Sequence, residues 1–439
     1  MLAGYSKEVG EILRRERKEK RLRLEDVADK NISPATVSNI ERGVPHVLPA
    51  KIEYLMDKLD LSEADIKARM SGIEKELEYL ELRLTAIEAL IDQGDIALAE
   101  KQLIEFDGLG TEHPLSAHIF YLRGSLYIEK KQPSKAEKEL LNAIRLSEQN
   151  HNNIHVDSYN LLSYVAYFKN DLESALKFAN QGLEKFIPGG KRDHVFDVLL
   201  VNKLSYLDKL NRVGEALSIL NDIWERKEEI KRPELLLHLY HLKVSLLRKT
   251  GYYEEALEVG LEGIQRSRLT NEYNRTLHIW DSLSSVYLRL GNLKSADVCL
   301  EYAISLEPLI SSKSYFVSTL TKKGILHMKK SEFEQATEYL SRAIILGNKQ
   351  KTDVYLLDAL AIMGDLKVSL EEYNDALTFH RKALDIADRL GFKRKKHSLL
   401  FRIIKSLQKT GSEEFKTELT NMFEVQKEIK EDPVFDEII

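Results

Sequence analysis

The sequence has little of what would define a secreted, membrane-embedded or disulfide-stabilised protein. Its 439 residues include one cysteine, Cys299, which excludes an intramolecular disulfide and a cysteine-based zinc site. No run of 18 apolar residues is present that could span a membrane, and the first ten residues lack the basic stretch and apolar core of a signal peptide. These absences predict a cytoplasmic protein. The chain has only 9 prolines, which favours long uninterrupted helices.

The sequence motifs of common enzymes are also missing. The chain has no GxxxxGK[ST] or GxGxxG phosphate-binding segment and no HExxH zinc motif. Its 12 histidines are scattered, and the pair His151 and His155 lies in a predicted loop without a third ligand nearby. We therefore expect a protein that is not an enzyme and that needs no metal or other cofactor. An enzyme is kept as the alternative of a different functional class.

Charge of one sign is not in large excess. The net charge is −5, and residues 1–60 carry 12 Lys and Arg against 11 Asp and Glu. The protein as a whole is therefore no general polyanion binder, and any affinity for nucleic acid must come from a local patch. A chain of 439 residues exceeds what one hydrophobic core organises, which indicates several domains or a repeat array.

One alanine recurs at a nearly constant interval. The segments GYYEEA, GNLKSA, SEFEQA and EEYNDA place it 40 residues apart. Four earlier segments, GDIALA, KQPSKA, NDLESA and NRVGEA, extend the series with intervals of 37, 39, 41 and 40 residues. The recurring residues are Ala99, Ala136, Ala175, Ala216, Ala256, Ala296, Ala336 and Ala376. A period of this length indicates a stack of supersecondary units.

Further small residues keep the same register. Those twelve residues before the alanine are Gly124, Ser163, Ser284, Gly324 and Gly364. We predict two antiparallel helices in each unit, which cross at the small residues and are joined by a turn at Asn170, Asn211, Gly251 or Gly291. From about Arg69 to Ile429 the pattern resembles the tetratricopeptide repeat. The resemblance implies an all-α chain in which the repeats form a right-handed superhelix.

Residues 6–60 follow a different pattern. Ser6 is predicted to cap a first helix, Leu24–Asp29 to form a short second helix, and Ser33 to cap a third helix that starts at a proline. A last helix is expected over Ala50–Leu59. The segments VGEIL, LEDVA and SPATVSNIERG resemble the Cro/repressor-type helix-turn-helix family, with a slightly shorter turn before Ser33.

The helix-turn-helix resemblance implies a DNA-binding surface on the third helix. Its outward N-terminal residues meet base edges in the major groove, where Asn39 can pair with adenine and Ala35 or Thr36 can touch a thymine methyl group. A basic run can contact phosphates; it comprises Arg14, Arg15, Arg17, Lys18, Lys20, Arg21 and Arg23. The predicted DNA-binding residues are Arg21, Arg23, Ser33, Pro34, Ala35, Thr36, Ser38 and Asn39. The alternative for each is a solvated helix face.

The sequence predicts four segments. A small helix-turn-helix domain over residues 1–60 is followed by a linker helix over 61–80, a tetratricopeptide-repeat solenoid of eight or nine repeats over 81–430 and a C-terminal tail over 431–439. Ser62 is expected to cap the linker helix, which could instead pair with a second subunit. We expect a homodimer or higher homo-oligomer because such regulators commonly bind two half-sites.

The first helix of each repeat is expected to line a concave groove. Residues that lie about 18, 15, 11 and 8 positions before the recurring alanine mix amides, hydroxyls, imidazoles and charges. This lining suits a short extended peptide, because amide side chains can pair with a peptide backbone and an arginine can meet a carboxylate. The predicted peptide-binding residues are Asn160, Tyr164, Asn202, Ser205, His241, Ser245, Arg248, Asp281, Ser285 and Thr321. The alternative is that these groups are simply solvated.

The combination of the two segments resembles the peptide-sensing quorum regulators of Gram-positive bacteria, the Rap–NprR–PlcR–PrgX family, and most of all its NprR branch. The resemblance covers nearly the whole chain and implies two partners, operator DNA and a short signalling oligopeptide bound in the groove. Peptide binding would change the oligomeric or domain arrangement. The Rap branch also implies a possible second role, in which the early repeats bind a response-regulator protein of the sporulation relay.

A repeat-based interaction scaffold or phosphorelay inhibitor without DNA binding is the remaining alternative. A degenerate helix-turn-helix should lose the polar outer face of its third helix. Thr36, Ser38 and Asn39 retain such a face, whereas Pro34 and Ala35 offer little base readout. The sequence therefore favours the DNA-binding reading.

Overall fold

The computed structural model describes residues 7–45, 47–147 and 152–430. These ranges contain twenty-two α-helices, one short 3-10 helix and no strand, so the all-α prediction is confirmed. The chain divides into two compact units, residues 1–149 and 150–439, which are described separately. None of the described helices combines the length and apolar character that crossing a membrane requires. The predictions for Ser6, His151 and the tail 431–439 lie outside the described residues.

Unit 1 begins with four helices around a small core. They are α1 (Lys7–Glu19), α2 (Leu24–Val27), α3 (Pro34–Glu41) and α4 (Pro49–Lys58). The buried apolar core comprises Val9, Ile12, Leu13, Val27, Ile32, Val37, Ile40, Ile52, Leu55, Met56, Leu59, Leu61 and Ile66. Ser33 caps α3 as predicted, because its hydroxyl accepts a hydrogen bond from the Thr36 amide at 3.1 Å.

The rest of unit 1 consists of four longer helices, α5 (Glu63–Asp92), α6 (Ile96–Ile104), α7 (Ser116–Glu129) and α8 (Pro133–Ser147). Ser62 caps α5 in a reciprocal arrangement with Asp65, which confirms the predicted cap. Helix α5 continues without a break past residue 80, so the predicted linker helix and the first helix of the first repeat are one element.

Unit 2 contains the remaining helices, which alternate as first and second helices of successive pairs. They are α9 (Ile154–Phe168), α10 (Leu172–Glu184), α11 (Val195–Lys209), α12 (Val213–Glu225), α13 (Pro233–Thr250), α14 (Tyr253–Ser267), α15 (Tyr273–Arg289), α16 (Leu293–Ser305), α17 (Phe316–Lys329), α18 (Phe333–Gln350), α19 (Asp353–Ser369), α20 (Tyr373–Arg389), α21 (Lys393–Thr410) and α22 (Phe415–Lys430).

The recurring small residues explain how the helices of each pair approach. All eight recurring alanines are fully buried. A Cβ atom on Gly124 would lie 2.6 Å from Leu140, and one on Gly324 would lie 2.6 Å from Leu340, so a larger residue would push the paired helices apart. The turns at Asn170, Asn211, Gly251 and Gly291 all have positive φ, as the turn prediction requires.

The first helices form the inner layer of unit 2. Helices α9, α11, α13, α15, α17, α19 and α21 each pack against the next member of this series. Close packing of that kind is not found between successive second helices in the described part of unit 2. The series also winds back on itself, because the Asn170 side chain donates a hydrogen bond to the Leu390 carbonyl at 3.0 Å. The inner faces of the first helices therefore enclose a groove.

Candidate functional site

The outer face of α3 carries the predicted base-reading residues. Pro34 and Ala35 are exposed, whereas Thr36, Ser38 and Asn39 are half-buried. The hydroxyls of Ser33 and Thr36 lie 2.8 Å apart. The Asn39 side-chain oxygen accepts a hydrogen bond from the Arg42 guanidinium at 2.6 Å, so its amide nitrogen is the part that can turn to another partner.

Two of the predicted phosphate-contacting residues stay open to solvent. Arg21 is exposed with a left-handed backbone (φ 59°) in the turn after α1. Arg23 is also exposed, and its backbone amide donates to the Asp26 carboxylate at 2.7 Å. Both side chains can therefore reach a phosphate without losing an ion pair that holds the fold together.

Arg17 corrects part of the predicted basic surface. This residue is only 8% exposed, and its guanidinium donates to both carboxylate oxygens of Glu41 at 2.5 and 2.8 Å. A third hydrogen bond goes to the Leu22 carbonyl at 2.7 Å. Arg17 is thus a structural link between α1 and α3 and is not available to phosphate, so that part of the prediction was wrong.

The groove of unit 2 brings several predicted peptide-binding residues together. The Asn202 side chain of α11 donates to the Asn160 side chain of α9 at 2.9 Å. The Ser205 hydroxyl lies 3.2 Å from Nε2 of His238 on α13, and the Ser245 hydroxyl lies 3.4 Å from the Asp208 carboxylate. These contacts join residues 33 to 42 positions apart in the chain, so the groove is lined by a polar network that crosses from helix to helix.

A histidine cluster occupies the middle of this network. The ring centroids of His238 and His241 are 6.2 Å apart, and those of His241 and His278 are 5.3 Å apart. The His278 ring packs on Tyr315 with a centroid distance of 3.9 Å. Burial lowers the pKa of His241 to about 4 and holds the pKa values of His238 and His278 well below their usual range. The three imidazoles are therefore neutral at pH 7.

Two predicted contact residues lie beneath the groove surface. Asp281 is fully buried, and its Oδ2 accepts from the Tyr315 hydroxyl at 2.8 Å and forms an ion pair with Lys322. Thr321 is 5% exposed, and its hydroxyl donates to the Val317 carbonyl at 2.8 Å. A ligand would reach either side chain only after a rearrangement of the first helices.

The remaining predicted residues differ in exposure. Tyr164 is 41% exposed and packs against Phe168 with ring centroids 4.4 Å apart. Arg248 is half-buried in the last turn of α13. Ser285 is half-buried, and its hydroxyl donates to the Asp281 carbonyl at 3.1 Å, so it is tied to its own helix.

Sequence reasoning missed two cations of the groove. Arg275 lies in the first turn of α15, half-buried and near Tyr164 and Tyr167. Lys209 lies at the end of α11, with its Nζ 5.6 Å from the centre of the Tyr167 ring. A signal was available for Arg275, because the position 21 residues before the recurring alanine also gives Tyr315 and Tyr355, which face the same groove.

The described part of the groove offers neutral imidazoles, amides, hydroxyls and cations. Burial raises the pKa of the Cys299 thiol to about 12, as expected for a buried structural cysteine. Within the described residues no group of three or more His, Cys, Asp and Glu side chains has the geometry to hold a metal ion.

Comparison with known proteins supports the repeat fold. The tetratricopeptide repeat profile matches residues 117–150 and 277–308. Among curated proteins, the chain is 23% identical over 181 residues to outer dynein arm-docking complex subunit 4 of Danio rerio. That match covers 40% of this chain and spans only 36% of the relative's length.

Two solved structures share the arrangement over most of the chain. A Rap protein in complex with Competence and Sporulation Factor has a TM-score of 0.59 and 14% identity, with 81% of this chain and 99% of that chain covered. The apo form of the quorum sensor NprR from B. thuringiensis has a TM-score of 0.56 and 16% identity, with 86% and 99% covered. Identities this low establish a common fold and nothing beyond it.

Proposed function

We propose that this protein is a peptide-responsive transcriptional regulator. In this proposal α3 binds operator DNA in the major groove, and the groove of unit 2 holds a short oligopeptide. Peptide binding changes the oligomeric or domain arrangement and thereby changes the affinity for DNA. Such coupling requires that the peptide bind one arrangement more tightly than the other.

The enclosed groove is the observation that carries the proposal. Asn160 and Asn202 form an amide pair on neighbouring helices, and asparagine amides can pair with the N–H and C=O groups of an extended peptide backbone. The half-buried hydroxyls and imidazoles of Ser205, His238 and His241 continue this polar wall. A lining of this kind fits a short peptide better than a flat protein surface. The Rap and NprR structures named above add support, because one is a complex with Competence and Sporulation Factor and the other is described as a quorum sensor.

DNA binding is tested first by a substitution on α3. The full chain is first used to select binding sequences from a library of random duplex DNA. The affinities of the parent protein and of Asn39→Ala for the enriched sequence are then compared. Loss of a base contact should weaken binding by about 1–3 kcal/mol. Asn421→Ala, which removes an exposed amide from α22, is the matched control and should bind normally. Enrichment of no sequence would favour the alternative of an interaction scaffold without DNA binding.

A further inference from the structure

Two cations of the groove form no ion pair with a carboxylate of the described residues. Arg275 is half-buried, and its guanidinium forms no ion pair or hydrogen bond with a described residue. Lys209 meets the ring and hydroxyl of Tyr167 and no carboxylate of the described residues. Two other cations on first helices are matched, because Lys322 pairs with Asp281 and Lys249 pairs with Asp208 at 2.9 Å. Arg275 and Lys209 differ from Lys322 and Lys249 in this respect.

The two unpaired cations face the same region. Both act on His238 and on His278, whose pKa values are lowered first by burial and then by Arg275, Lys209 and the neighbouring histidines. Arg275 belongs to α15 and Lys209 to α11, and both helices pack against α13, which carries His238. We call the space bounded by these residues and by Tyr167 of α9 the Arg275–Lys209 cleft.

The other charged groups of the described residues around the cleft do not form ion pairs with its two cations. The groups that act on the cluster are Lys209 and Asp208 from α11, His241 from α13, Arg275 and Asp281 from α15, and Lys322 from α17. Asp281 is engaged by Lys322 and Tyr315, and Asp208 by Lys249. Glu272 and Glu234 also act on Arg275, but neither forms an ion pair with it, and Glu234 pairs with Arg232 at 2.5 Å. The cleft therefore holds two cations without a contacting carboxylate among the described residues, Arg275 half-buried and Lys209 exposed. The charge of the half-buried Arg275 is the one that gains most from a counter-charge.

We propose that the Arg275–Lys209 cleft is a carboxylate subsite of the groove. The planar guanidinium of Arg275 can bind both oxygens of a carboxylate, and Lys209 adds a second positive charge. The neutral ring of His238 offers a further N–H donor. This inference rests on the proposed function, because it names the group by which the groove ligand is held. The ligand class is a peptide with a free carboxylate, supplied by its C-terminus or by an Asp or Glu side chain.

The proposal is tested with peptide mixtures of defined chemistry. The full chain is incubated with random heptapeptides that have free C-termini, and separately with the same mixture made as C-terminal amides. Each mixture is prepared with and without Asp and Glu. Bound peptides are isolated with the protein and identified by mass spectrometry. We expect enrichment from every mixture except the amides that lack Asp and Glu, and the pattern tells which carboxylate is used.

Variants of the cleft give the second measurement. For the most enriched peptide, Arg275→Gln and Lys209→Gln should each weaken binding about ten- to a hundred-fold, as expected for loss of a charge-assisted hydrogen bond. Arg275→Lys should recover part of the lost affinity, because lysine restores the positive charge but cannot bind both oxygens of a carboxylate as a guanidinium does. Arg289→Gln removes an exposed arginine from the same helix and should bind like the parent.

The failures of the two proposals look different. Enrichment of amidated peptides without Asp or Glu, with full affinity retained by Arg275→Gln, overturns the carboxylate subsite and leaves the peptide sensor standing. Enrichment of no peptide from any mixture overturns both. Carboxylate-dependent binding that Arg289→Gln weakens as much as Arg275→Gln does also overturns the subsite, because a general positive potential would then explain the preference.

Discussion

The N-terminal helices of unit 1 and the groove of unit 2 differ in whether an arginine removed from solvent has a carboxylate partner. In the first region, Arg17 is nearly inaccessible and is held by both oxygens of Glu41 and by a backbone carbonyl. In the second, Arg275 is half-buried and pairs with no carboxylate of the described residues, and three neighbouring imidazoles are held neutral. A satisfied buried pair belongs to the architecture, whereas an unsatisfied cation makes the free protein less stable and so indicates a ligand.

The largest effect is expected where the paired charge is broken. Glu41→Gln leaves the Arg17 guanidinium buried with an uncompensated charge, which should cost about 3–5 kcal/mol in the stability of the N-terminal helices. Hydrogen exchange of residues 7–45 in the full chain measures the loss. Glu19→Gln removes an exposed i,i+4 partner of Arg15 and should cost about 0–0.5 kcal/mol. Equal protection in the two variants would show that the Arg17–Glu41 pair is not a structural link.

The next effect follows from the neutral histidines of the groove. The pKa of His241 falls from 6.5 to about 4, first because of burial and also because of Arg275 and Lys322, against the opposing effect of Asp208 and Asp281. Between these two values the unfolded chain binds a proton that the folded groove does not. The free energy of unfolding therefore falls as the pH decreases through this window.

His241→Asn tests this pH dependence. The variant should lose less stability than the parent between pH 7 and pH 5, by about 1–2 kcal/mol. Urea denaturation at the two pH values measures the difference for both chains. A parallel loss in parent and variant would mean that His241 is protonated as easily in the groove as in the unfolded chain, and the contrast with the N-terminal helices would then weaken.

The sequence predicted the repeat architecture because that architecture repeats a local rule. The recurring alanines, such as Ala256, are all fully buried, and the turn residues Asn170 and Gly251 have the predicted positive φ. Each of these residues sits where two helices cross or where a turn reverses the chain. The identity of a small or turn-forming residue is enough to indicate such a position.

The charge distribution could not be predicted in the same way because it depends on contacts between distant segments. In the sequence, Arg17 is one more member of a basic run. Only the fold shows that it forms an ion pair with Glu41. Arg275 was overlooked because the register used for the groove began one turn too late on each first helix. Thr321 and Asp281 were included because the register gives the face of a helix and not the depth of a side chain.

The smallest effect has the opposite sign and is the most direct test of the contrast. Arg275→Gln removes a half-buried cation that has no ion-pair partner in the described part of the groove, so the unliganded protein should become more stable by about 0.5–2 kcal/mol. Arg289→Gln, at an exposed position of the same helix, should change stability little. Urea denaturation without peptide measures both. If Arg275→Gln is destabilised as Glu41→Gln is, then Arg275 stabilises the fold as Arg17 does. The positive charge of Arg275 would then have a structural role and would not indicate a ligand.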